Sequence, residues 1–253
     1  MNDKATWSDY VGSVAVTAVL IGLWALVSTS HWISPIYLPT PAATVSSLME
    51  GLKAGDLISQ TSGTIERMCY GWALASLIGI AIGSLIGVSA TLRAWLQPML
   101  ELIRPLPASA IMPAAIALLG LSPAMVLFVI AFGALWPVLL ATVHGFASVE
   151  PRLEDVARVL GLSRLQFILK IGLPNALIDA FGGMRLSLTI SLILAVVGEM
   201  LAAQEGLGTA ILQAARTFRA PDLFAGVTLL GMIGFASNTL LNVFERRVLR
   251  WKY

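Results

Sequence analysis

Between Pro105 and Val149 the chain runs for 45 residues without an Asp, Glu, Lys or Arg. One bilayer crossing needs only about 20 apolar residues, so this run predicts two helices rather than one. Gly120-Leu121-Ser122-Pro123 supplies the turn between them. Tyr10–Ser30, Met68–Leu92 and Leu223–Phe244 are also free of those four residue types, and Ala176–Met200 is a further, less apolar stretch. Charged residues make up 12% of the chain, about half the share typical of soluble domains, and mean hydropathy is +0.85. The expected fold is an all-α integral membrane protein, a single domain over 1–253 with six transmembrane helices. The spans fall at about 10–31, 66–91, 105–119, 123–146, 176–200 and 223–244. No small-residue cleavage site follows the first span, which reads as a retained helix.

The segments around these spans carry their own signals. Pro35, Pro39 and Pro41 give an irregular start to an amphipathic helix over 42–53. Gly71, Ala75, Gly79, Gly83 and Gly87 place a small residue at every fourth position, a ladder on which another helix can pack closely. Pro98, Pro105, Pro107 and Pro113 interrupt the approach to the third span. Broken backbone at membrane depth needs protein or a wet cavity around it. Arg104 and Ser109, at this break, are therefore pathway candidates; an interfacial helix that enters the bilayer after Pro107 is the other reading. Arg185 and Glu199 are the remaining pathway candidates. Fourteen residues separate them, about 21 Å along a helix, so they cannot pair with each other. A charge at the bilayer centre costs about 3 kcal/mol, so both should face protein or water, with snorkelling as the alternative. Residues 201–222 read as a helix begun at Gly206-Leu207-Gly208 and stopped by Pro221.

Catalytic chemistry finds no support. Cys69 is the single cysteine, and His144 has no metal-ligand spacing around it. None of the lysines follows a glycine in a phosphate-cradling loop, so no ATP site is expected here. Nothing points to nucleic acid, and membrane lipid is the expected surroundings.

Lys and Arg placement orients the chain. With six spans, both termini share a side with eleven basic residues: Lys4, Arg93, Arg104, Arg152, Arg158, Arg164, Lys170, Arg246, Arg247, Arg250 and Lys252. The opposite side holds Lys53, Arg67, Arg216 and Arg219. Both termini are thus expected in the cytoplasm.

On that side lies a charged elbow, residues 150–174. Leu153, Val156, Ala157 and Leu160 form the apolar stripe of a short helix, with Pro151 at its start and Gly161 as a left-handed cap. Ser163 and Gln166 have capping-box spacing for a second short helix, and Pro174 bars simple continuation.

The spacing Asp155-Val156-Ala157, Gly161, Ile171-x-Leu173-Pro174 resembles the E-A-A-x3-G-x9-I-x-L-P signature of ABC importer permeases, with Asp155 and Val156 departing from it. IRPLP at 103–107, GEMLAAQEGLG at 198–208 and FERRVLRW at 244–251 resemble the nitrate/sulfonate/taurine/bicarbonate group. The resemblance covers roughly 35–253. It implies a type I importer permease fold in the bacterial inner membrane and a cytoplasmic coupling elbow. The ATPase-coupling residues by this resemblance are Asp155, Ala157, Arg158, Gly161, Ile171, Leu173 and Pro174. It further implies a second permease copy, two ATPase subunits that bind the ATP, and a periplasmic or lipid-anchored substrate-binding protein. The cargo would be a small solute such as a sulfonate, taurine or nitrate. The competing class is a self-contained ion-coupled carrier or channel using Arg185 and Glu199.

Overall fold

Every regular element among the described residues is helical. The computed structural model describes residues 7–30, 32–103 and 106–251. In chain order they are α1 (Trp7–Thr29), α2 (Pro41–Ala54), α3 (Asp56–Gly87), α4 (Ala90–Ile103), α5 (Ala108–Leu119) and α6 (Pro123–Ala147). Then come α7 (Pro151–Val159), α8 (Arg164–Phe167), a π-turn (Ile168–Gly172), α9 (Leu173–Ala202), α10 (Leu207–Arg216) and α11 (Ala220–Val248).

Among the described residues, five helical stretches are long and apolar enough to cross a membrane, with Arg164–Ala202 as one continuous 39-residue stretch. The expected third span differs. Helix α5 has 12 residues, about 18 Å against a hydrocarbon core of about 30 Å. Only together with α4, across an 88° bend, does it make a sixth candidate. Arg104 and Pro105, at the break itself, lie outside the described residues.

Two proline expectations change. Pro174 does not end the second elbow helix. The π-turn before it widens the helix by one residue, Leu173 N–H donates to the Ile168 carbonyl, and the chain continues into α9. Pro sits at the start of the new register, where its missing N–H costs least. Pro221 likewise begins α11 instead of stopping its predecessor; α10 ends at Arg216, and Phe218 takes the left-handed conformation at φ +54°.

The chain forms two compact units. In the unit made of 62–209 and 231–253, α6 and α9 are the central antiparallel pair. Small residues set their approach: a Cβ on Gly183 would lie 2.5 Å from the Pro137 carbonyl, and one on Gly145 2.6 Å from Ala176 Cα. The ladder on α3 packs against α6 as its spacing predicts. Gly71 faces Ile130, Gly79 faces Val138, and Gly83 faces Thr142 at distances that leave no room for a side chain. In the unit made of 1–61 and 210–230, Trp24 stacks on Phe224 and donates to the Pro39 carbonyl at 2.9 Å. Thr40 caps α2 there, with Pro41 in its first turn.

Candidate functional site: a helix–glycine–helix elbow and two ion pairs

The elbow is built from local signals that all act. Helix α7 ends in a Schellman motif: Leu162 N–H donates to the Ala157 carbonyl, and Gly161 N–H to the Arg158 carbonyl. Gly161 takes φ +63°, the conformation that makes glycine cheap there. A Cβ at this site would meet nothing within 4 Å, so the backbone, not crowding, demands the residue. Ser163 and Gln166 close both halves of a capping box, at 3.3 and 2.9 Å. Asn175 Nδ2 then donates to the Gly145 carbonyl at 2.8 Å, tying the base of the elbow to α6.

The apolar stripe of α7 is largely uncovered. Ala157 is buried, whereas Leu153 is 40%, Val156 50% and Leu160 68% exposed, beside Val159 at 87%. Charged side chains flank it: Asp155 with Arg158 at 3.4 Å, and Glu150 with Arg152 at 3.7 Å. These exposed pairs add little stability. Ile171, Leu173 and Pro174 are half-buried around the π-turn.

The charged pathway candidates are held by partners far away in sequence. Glu199 is wholly buried. Its Oε1 accepts from Arg67 Nε at 3.0 Å, and its Oε2 accepts from Thr64 Oγ1 at 3.0 Å and Gly208 N–H at 2.9 Å. Arg67 also donates to the Glu205 carbonyl. Ala203, the left-handed residue that ends α9, turns the chain so that Gly208 reaches this carboxylate. A Cβ on Gly206 would lie 2.4 Å from Glu199 Cδ, so a side chain there must push the carboxylate off its partners. Arg185 pairs with Glu245 on α11 and remains partly exposed. Ser109 is exposed in the first turn of α5. Arg104 is outside the described residues.

A cavity of about 760 Å³ lies between α5, α6 and α9, lined by Trp136, His144, Asp179, Gly182 and Leu186 among others. Ser109, Arg185 and Glu199 are not among its lining residues. Sequence reasoning missed Arg67 and Glu245 as partners and Asp179 as a lining group. The signal for Arg67 existed: it and Glu199 stand at span ends assigned to the same side, and a buried carboxylate needs a cation.

The chain matches the family model described as binding-protein-dependent transport system inner membrane component over residues 75–251. It is 31% identical to the taurine transport system permease protein TauC of Escherichia coli, over 94% of this chain and 89% of that protein. It is 28% identical to the nitrate import permease protein NrtB of Leptolyngbya laminosa, over 91% of this chain and 84% of that protein. In fold it is similar to a chain of the inward-facing MetNI methionine ABC transporter, with a TM-score of 0.64 at 17% identity. That likeness covers 77% of this chain and 95% of the other.

Proposed function

We propose, from the premise that this chain belongs to the binding-protein-dependent transport system inner membrane component family, that it imports a small anion and takes its drive through the elbow. It is a multi-pass transport subunit of an ABC importer and not an enzyme; membership implies a separate ATPase and a substrate-binding protein as partners. In our reading two copies of the permease assemble with two ATPases, in the bacterial inner membrane, with both termini and the elbow in the cytoplasm. The names of the relatives, taurine and nitrate permeases, support an organic or inorganic anion as cargo.

One observation carries the coupling assignment. Helix α7 keeps Leu153, Val156, Val159 and Leu160 exposed in the middle of charged residues. Fully burying such a side chain is worth about 1.5–3 kcal/mol, so covering what these four still expose is worth roughly 4–7 kcal/mol. An ATPase groove is the surface that would cover them, with Asp155 and Arg158 at its rim, and Ala157, Gly161, Ile171, Leu173 and Pro174 holding the angle. Family membership favours the importer over a self-contained carrier, and the wholly buried Glu199 is held by Arg67. We assign Glu199 to holding the α9–α10 turn and keep Arg185 as the pathway candidate. It stands within one turn of Gly182 and Leu186, which line the α5–α6–α9 cavity. Co-purification of the ATPase with Leu160→Asp tests the coupling reading. Loss of the ATPase from a well-folded permease is the expected result; undiminished association refutes it.

A further inference from the structure

At the base of the elbow is a second cavity, about 470 Å³, into which three arginines face: Arg93, Arg158 and Arg164. No acidic residue is among the described residues that line it. Arg93 reaches the Gly87 carbonyl at 3.4 Å, Arg158 reaches Asp155 outside the lining, and no ion pair joins Arg164 to a described residue. The ends of α3 and α6 also border the cavity, and each helix C-terminus contributes about half a negative charge. With Arg158 paired to Asp155 and the two helix ends offsetting about one more charge, about one positive charge remains unmatched in a space of ligand size.

We propose that this cavity binds the phosphate of an anionic phospholipid. Its walls are the last residues of α3 and α6 and the π-turn that leads into α9, so it opens at the level where three apolar spans end. Helix α4 beside it is amphipathic, and Trp95 on it is 78% exposed, as expected of a helix lying in the membrane interface. Leu92, Leu165 and Leu169, next to the lining residues in sequence, are exposed and can take the acyl chains. Basic pockets between membrane helices on the cytoplasmic side are suited to anionic headgroups. The side assignment rests on the topology proposed above. A lipid seated here touches α3, α6 and both arms of the elbow at once, which makes the coupling angle sensitive to the anionic lipid content of the membrane.

Native mass spectrometry of the full-length permease, titrated with phosphatidylglycerol or phosphatidylcholine, tests the site. The expected result is preferential retention of phosphatidylglycerol. Retention falls roughly fivefold in Arg93→Gln and in Arg164→Gln, and about 25-fold in the double variant, from the contribution of one basic residue near an anionic surface. Arg164→Lys should retain most of the binding. The Arg164 side chain makes no described hydrogen bond or ion pair, so its variants should keep the fold and the test does not hinge on the double variant. Unchanged retention in the double variant overturns the proposal. Displacement of the lipid by about 10 mM inorganic phosphate would make this a free-anion site and also overturns it. Loss of ATPase co-purification without any change in lipid retention would hand the cavity to an acidic segment of the ATPase. Failure of the coupling reading is separate: Leu160→Asp would then retain the ATPase whatever the lipid result.

Discussion

Replacing Glu199 with Ala should be among the most damaging single changes in this chain. The carboxylate is fully enclosed and Arg67 is only 16% exposed, so the substitution strands a nearly buried guanidinium. Removing one partner of a buried ion pair costs about 3–5 kcal/mol, because the other charge stays desolvated. Thr64 and the Gly208 N–H lose their acceptor at the same time, and Arg67 keeps only the Glu205 carbonyl. For a chain of this size about 1 kcal/mol moves the midpoint of unfolding by roughly 2–4 °C. The expected fall is therefore about 6–20 °C in detergent, read by thermal unfolding with a fluorescent thiol or tryptophan signal. Glu199→Gln should fall between wild type and Glu199→Ala, since it keeps the volume and one acceptor oxygen. The decisive comparison is Arg67→Met with Glu199→Leu, which removes both charges and should recover much of the loss. A Glu199→Ala midpoint within about 2 °C of wild type, or a double variant no better than the single one, would refute the buried-pair reasoning.

Three further outcomes are expected. Gly161→Val forces a branched side chain into φ +63° and should cost about 1–2 kcal/mol while severing ATPase stimulation from uptake in reconstituted complexes; normal substrate-stimulated turnover would defeat the coupling role. Arg185→Gln should lower transport with assembly intact, whereas normal uptake by Arg185→Leu would reduce the residue to a structural partner of Glu245. In a Cys69-free background, a cysteine at position 53 should react with an impermeant reagent outside intact cells and one at position 164 should not. Outside labelling of position 164 would invert the topology.

Local chemistry was readable in the sequence to the residue. Pro151, Gly161, Ser163 and Gln166 each act through neighbours within five positions, so spacing alone located the first short helix, the turn and the start of the second helix. The glycine ladder of α3 was also readable, because its period places it on one helix face whatever packs there. What stayed hidden depends on distance. Charge-free windows put the start of the second span near Met68, but the helix begins at Asp56, since helical hydrogen bonding continues into polar surroundings and Arg67 finds Glu199 across 132 positions. The partnership of Arg185 with Glu245, 60 positions apart, is invisible for the same reason. Proline misled twice, at Pro174 and Pro221, because its effect turns on whether it falls inside a helical register or at the start of one.

The π-turn has a mechanical meaning. Because the helix is not broken at Pro174, Arg164 through Ala202 forms one hydrogen-bonded shaft of 39 residues, about 58 Å long. A loop at that place would absorb a push delivered to the elbow; a shaft conducts it. A tilt of about 5° about the widened turn would sweep the far end of the 30-residue α9, about 45 Å away, through roughly 4 Å. The far end is where Glu199 clamps the turn into α10. If the elbow docks the ATPase as proposed, the widened turn is the fulcrum about which α7 works a long arm that ends at a locked charge.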